Sequence, residues 1–107
     1  MDNEQFDKLV DRRVGKIRKV LSSKGEEYGR EDMLHNFKVA GKMLQCSPER
    51  ALLGMKIKHD VSVADLVNFP ETVTPYLIDE KIGDAINYLV LLEALLKEGL
   101  IDENTKR

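Results

Sequence analysis

With 107 residues, the chain fits one domain, and a domain of this size buries roughly two-thirds of the surface its unfolded form exposes. A charged fraction of 34%, a hydrophobic fraction of 42% and the absence of tryptophan fit a helical soluble protein and argue against both a disordered chain and an aromatic-rich β-sandwich. The net charge of −2 gives no overall pull toward nucleic acid, and the single Cys46 excludes an intramolecular disulfide or a cysteine-based zinc cluster.

From Asp2 to about Ser23, apolar Phe6, Leu9, Val10, Val14, Ile17 and Leu21 recur at helical spacing, which predicts an amphipathic helix. Its basic run "DRRVGKIRK" reads as a solvated face. The helix is expected to end near Lys24-Gly25, where glycine supplies the left-handed residue of a C-terminal cap. A second helix carries Met33, Phe37, Ala40 and Leu44 on one stripe and stops at "CSP". Ser47 is then an N-cap and Pro48 a first helical residue, because proline lacks an N–H that would be unsatisfied there anyway. The third helix runs through Leu52, Met55 and His59, with a restart expected near Ser62, where "SVAD" has capping-box spacing. "NFPETVTP" is the one clear linker, and Thr74-Pro75 repeats the cap-then-proline pattern. The last helix is expected from about Pro75 to Glu98, with Gly99 as its closing glycine and "DENTKR" as a fraying tail. No strand or hairpin signal competes. The expectation is an all-α single domain over residues 1–107, with a core at about 2–99, built as a four-helix bundle with mostly antiparallel neighbours.

On the last helix Ile78, Ile82, Ala85, Ile86 and Leu89 form one apolar face, with Glu80, Asp84 and Asn87 opposite. Leu77, Leu91 and Leu95 lie on or beside that polar stripe, so the helix is apolar nearly all round in its second half. Such a helix needs covering on several sides, and self-association as a homodimer or homotetramer is expected. Glu80 and Asp84, one turn apart, repel unless a cation or proton compensates them. They are either a divalent-ion pair or solvent-facing acids paired with Lys81 or the basic first helix. Spacing alone does not choose.

"KGEEYG", then "HNF", then "KH" late in the third helix, then "EKIGDAINY" is an order of signals that resembles the all-α nucleoside triphosphate pyrophosphohydrolases. This is the superfamily of MazG and the dimeric dUTPases, including small phage-encoded members. The similarity spans roughly Lys24 to Glu98. The resemblance implies a MazG-like helical fold and Mg²⁺, or Mn²⁺, held on a triphosphate by two acidic motifs. The second motif is matched by "KIGDAINYLV", with Asp84 in the aspartate position; Lys81 stands where a glutamate is usual, and Glu80 lies one residue earlier. The first motif is matched by "EEYGRE", with one extra residue and a glycine. The resemblance thus implies metal ligands among Glu26, Glu27, Glu31, Glu80 and Asp84, with Glu27, Glu80 and Asp84 in catalysis. Tyr28, His35, Asn36, Lys58, His59 and Asn87, with Lys56 nearby, are candidates for binding the nucleotide.

Each of these has a plainer reading as well. The acids of "EEYGRE" also suit a solvated turn, Tyr28 a core edge, His35 a capping or surface residue, the lysines a wet helix face and Asn87 a surface amide. No P-loop, no His-Glu-x-x-His pair and no catalytic-cysteine signature is present. The expected function is a Mg²⁺-dependent nucleoside triphosphate pyrophosphohydrolase acting on ribo- or deoxynucleotides. The alternative is a non-catalytic oligomeric module that binds a nucleotide or a protein. Nucleic acid is not the expected partner, since only the basic first helix speaks for it. No apolar run approaches the ~20 residues of a membrane span, and "MDNEQFD" is unlike a signal peptide. A cytoplasmic location is expected, in the host if the chain is phage-encoded.

Overall fold

A computed structural model describes the backbone of residues 1–28 and 32–105 and the side chains of residues 1–22 and 32–101. These residues form four α-helices and one short 3₁₀ turn, and no strand occurs among them. The helices are α1 (Asn3–Tyr28), α2 (His35–Leu44), α3 (Pro48–Asn68) and α4 (Pro75–Thr105), with the 3₁₀ turn at Pro70–Thr72. The chain divides into two compact units, Met1–Glu31 and Asp32–Arg107.

The first unit is α1 alone. Its start is capped reciprocally: Gln5 N–H donates to Asp2 Oδ1 at 2.8 Å, and Asp2 N–H donates to Gln5 Oε1 at 2.9 Å. Two of the four orphan donors of a helix start are thereby satisfied. The helix does not stop at Lys24-Gly25 but continues to Tyr28. A helical glycine costs only about 1 kcal/mol relative to alanine, so it permits a stop without enforcing one.

In the second unit α3 packs against both α2 and α4. The core is Leu34, Phe37, Leu52 and Leu95, with Tyr88, Leu91 and Leu92 packed against it. Helix starts follow the local chemistry expected of them. The Arg50 N–H donates to Ser47 Oγ at 3.1 Å and Pro48 is the first helical residue. The Leu77 N–H donates to Thr74 Oγ1 at 3.2 Å. Before α2, Asp32 Oδ1 accepts from the Leu34 N–H at 2.9 Å and Oδ2 from Lys38 at 2.8 Å. Lys38 also pairs with Glu98 of α4. These bonds hold Asp32 below the ordinary carboxylate range, the Lys38 bond contributing most. Asp32 therefore stabilises the fold above its unfolded pKa, near 3.9, and this contribution is lost as pH falls through the lower folded value.

Other expectations are corrected. α3 is uninterrupted past Ser62, whose hydroxyl donates back to the Lys58 carbonyl at 3.0 Å instead of capping a new helix. α4 runs through Gly99 to Thr105. The inward stripe of α2 is Leu34, Phe37 and Gly41, whereas Met33 and Leu44 are exposed. Met55 of α3 is likewise exposed. On α4 the face assigned as apolar is turned out at both ends, with Ile78 44% and Leu89 52% exposed. Asn87 and Leu95 of the mixed stripe are buried instead. A helix apolar on several sides offers more than one inward face, and packing against α3 selects among them.

α2 ends in a tight turn that folds back over Gly41. Gln45 adopts a left-handed conformation with φ 57°, and the Cys46 N–H donates to the Gly41 carbonyl at 2.9 Å. A Cβ on Gly41 would sit 2.8 Å from the Cys46 carbonyl oxygen and 3.1 Å from the Pro48 nitrogen. Both neighbours are backbone and cannot rotate away. Gly41→Ala is expected to lower stability by about 2 kcal/mol, within the range for overpacking. Nothing lies within 4 Å of a Cβ on Gly54, so Gly54→Ala should stabilise by up to about 1 kcal/mol. Thermal unfolding of the two variants checks the contrast, and equal melting temperatures would show that the turn does not close on Gly41.

Candidate functional site

α3 and α4 bring two of the candidate residues, His59 and Asp84, together, and a third, Asn87, follows Asp84 by three residues on α4. His59 Nδ1 lies 3.6 Å from Asp84 Oδ2, an ion-pair contact when the imidazole is protonated and too long for a hydrogen bond. The His59 ring also packs on Tyr88, with centroids 4.7 Å apart, and Tyr88 meets Phe37 of α2 edge to face at 6.0 Å. Tyr88 thus links the site to the core, at the place where α2, α3 and α4 converge. Asn87 precedes it in the chain and is only 7% exposed, and its Oδ1 has no hydrogen-bond partner. A buried acceptor without a donor costs about 1–3 kcal/mol. Such a group marks either stored instability or a place where a ligand supplies the missing donor.

Glu80 lies one turn before Asp84, with Lys81 Nζ 3.7 Å from its Oε1. By hydrogen bonding and by its charge, Glu80 also holds the Tyr76 phenol above its ordinary pKa of 10.0. Both carboxylates are partly exposed. Their oxygens are the donors that Mg²⁺ prefers, and one or two carboxylates are a usual protein contribution to such a site. Donor type therefore fits, although each acid already has a basic neighbour in the fold. Among the described residues, no group of three His, Cys, Asp or Glu side chains could hold a metal ion. The candidates Glu26, Glu27, Tyr28 and Glu31 have side chains outside the described residues.

His35, Asn36 and Lys58 are exposed. Among the described residues no hydrogen bond or ion pair joins any of them to His59, Asp84 or Asn87. The inward lysine of α3 is Lys56, with a side chain only 11% exposed and paired to Asp60. Two aromatics stand out that were not assigned a site role, Tyr76 and Tyr88. Tyr76 was legible as the residue four before Glu80, one turn away on the same face. Tyr88 closes the stretch "EKIGDAINY", but a tyrosine following Asn87 reads equally well as core.

An opening of about 460 Å³ elsewhere in the unit is lined by Lys38, Lys42, Cys46, Glu49, Leu95 and Glu98, among others. Its α4 wall, Leu95 to Gly99, lies about 12 to 18 Å along the helix from Asn87, at 1.5 Å per residue. Lys38 there is already neutralised by Asp32 and Glu98, which leaves little field for a polyanion. The Asn87 group is the stronger site. Comparison with protein-family models, with curated proteins and with solved structures finds no match for this chain.

Proposed function

We propose that the chain is a nucleoside triphosphate pyrophosphohydrolase-like protein that takes a ribo- or deoxynucleotide at the α3–α4 site and releases monophosphate and pyrophosphate. The observation that carries this reading is the unpaired buried Oδ1 of Asn87, three residues from Asp84 and next in the chain to Tyr88, on which His59 packs. A base amine or sugar hydroxyl is the kind of donor that this oxygen lacks. Tyr88 and His59 pack on each other and provide flat apolar surface on α4 and α3, and Glu80 and Asp84 provide the charge. Those two acids would hold Mg²⁺ or Mn²⁺, and the bound ion would neutralise phosphate charge and make a water more acidic. His59 Nδ1 lies 3.6 Å from Asp84 Oδ2, so the ring stands between that acid and Tyr88.

One set of distances favours a second reading. Lys81 lies 3.7 Å from Glu80 and His59 lies 3.6 Å from Asp84, so each acid already has a basic side chain beside it. This arrangement suits a module that binds a nucleotide without hydrolysing it. A screen of ribo- and deoxynucleoside triphosphates with Mg²⁺ or Mn²⁺, read as pyrophosphate release, separates the two. Release from one or a few substrates supports the enzyme; tight binding without release supports the module; neither binding nor release removes both.

Asn87→Leu tests the carrying observation itself. It replaces an amide whose buried oxygen is unpaired by an apolar side chain of similar volume, so the free protein should gain about 1 kcal/mol of stability while nucleotide binding is lost. Denaturant unfolding and calorimetric titration report the two effects. A variant that is both less stable and still able to bind would show that Asn87 serves the fold and not a ligand.

A further inference from the structure

We propose that α1 is a self-recognition element that pairs antiparallel with α1 of a second copy of this chain about a two-fold axis near Asp11 and Arg12. The unit Met1–Glu31 contains this single helix, so nothing within the unit covers its apolar stripe. Phe6 is 55% and Val14 53% exposed, and Leu9, Val10 and Val20 are exposed as well. These positions, with half-buried Ile17 and Leu21, recur at the spacing of a seam between two helices.

Charge decides the occupant and its direction. The first part of the helix carries Glu4, Asp7 and Asp11, with Lys8 as its one base, after Asp2 in the cap. From Arg12 to Lys19 there are five basic residues and no acid: Arg12, Arg13, Lys16, Arg18 and Lys19. The helix dipole favours acids at the start and bases at the end, but that effect is confined to the terminal turns. Here the separation extends through the middle of the helix. A parallel pair would set acid against acid and base against base. An antiparallel pair about the point where the sign changes sets Glu4 opposite Lys19 and Asp7 opposite Lys16. The same register places Phe6 opposite Ile17 and Leu9 opposite Val14, so apolar and charged matches coincide at these pairs, while Val10, Val20 and Leu21 fall beside Arg13, Asn3 and Asp2. Glu4 meanwhile pairs with Lys8, at 3.4 Å and with both side chains more than three-quarters exposed, and such pairs exchange at little cost. Two-fold pairing also makes each match occur twice, as an isologous interface requires.

The test uses the full chain in sedimentation equilibrium at micromolar concentration and low salt. Two variants are compared, Glu4→Lys/Asp7→Lys and Lys16→Glu/Lys19→Glu, with far-UV circular dichroism to verify that each stays helical. Wild type should dimerise, and each variant alone should dimerise at least about tenfold more weakly, because like charges then face each other across the seam. An equimolar mixture of the two should recover association close to wild type, as a heterodimer. Recovery is specific to α1 meeting α1, since an α1 docked on any other surface gains nothing from a second altered α1. A monomeric wild type, an association indifferent to both variants, or a mixture that fails to recover would each overturn the proposal.

Discussion

Leu52→Ala is expected to lower the stability of the Asp32–Arg107 unit by about 3 kcal/mol, the middle of the range for a fully buried leucine. Leu52 is 0% exposed and belongs to the cluster with Leu34, Phe37 and Leu95. That cluster draws on the segment before α2, on α2, α3 and α4, so the space left by three lost carbons cannot close without moving several elements together. The loss combines the missing transfer energy with the cavity, and in a domain whose total stability is on the order of 10 kcal/mol it is a large share. The midpoint of urea unfolding should fall with little change in slope. Leu53→Ala, at the neighbouring exposed position, should stay within about 0.5 kcal/mol of wild type. Equal effects at the two positions would mean that α3 is rotated from the orientation described.

Helix starts were readable because their chemistry is local. Ser47-Pro48 and Thr74-Pro75 satisfy orphan N–H groups with a side chain a few residues away, and no distant element is needed to fix them. Helix ends were not readable in the same way. Gly25 and Gly99 tolerate a left-handed cap without demanding it, and both helices continued through them. Ser62 could either cap a helix or bond back within one, and the unbroken α3 selected the second.

The orientation of α4 depends on tertiary contacts. Its sequence offers apolar residues on nearly every side, so periodicity names several possible cores. Packing settles the choice: Leu95 joins Leu52 of α3 in the core, and Asn87 is buried as well. The candidate site shares this dependence. His59 and Asp84 were each singled out from sequence, but their 3.6 Å approach exists only because α3 and α4 pack on that face. Lys58 and Lys56 show the limit from the other side: two residues apart, they point to different environments, and sequence alone does not tell that Lys58 is the exposed one and Lys56 the inward one.

Asp84→Asn is expected to reduce pyrophosphate release by about a thousandfold or to background while leaving the fold intact. The amide keeps the shape of the carboxylate and loses the charge that would anchor a divalent ion and offset the phosphates; electrostatic contributions of this kind are worth several kcal/mol in the transition state. Folding should be insensitive because Asp84 is partly exposed and its contact with His59 is 3.6 Å long. A pair of that kind contributes less than about 1 kcal/mol. Relief of the repulsion from Glu80, one turn away, works in the opposite direction. The variant should therefore unfold within about 1 kcal/mol of wild type, which separates loss of chemistry from loss of structure. His59→Gln provides the comparison: it removes the basic neighbour but leaves the carboxylate, so it should retain metal binding that Asp84→Asn loses. Calorimetric titration with Mn²⁺ measures that difference without relying on turnover. If Asp84→Asn binds Mn²⁺ and hydrolyses nucleotide as wild type does, Asp84 is a surface partner of His59 and the acids of α4 have no part in the reaction.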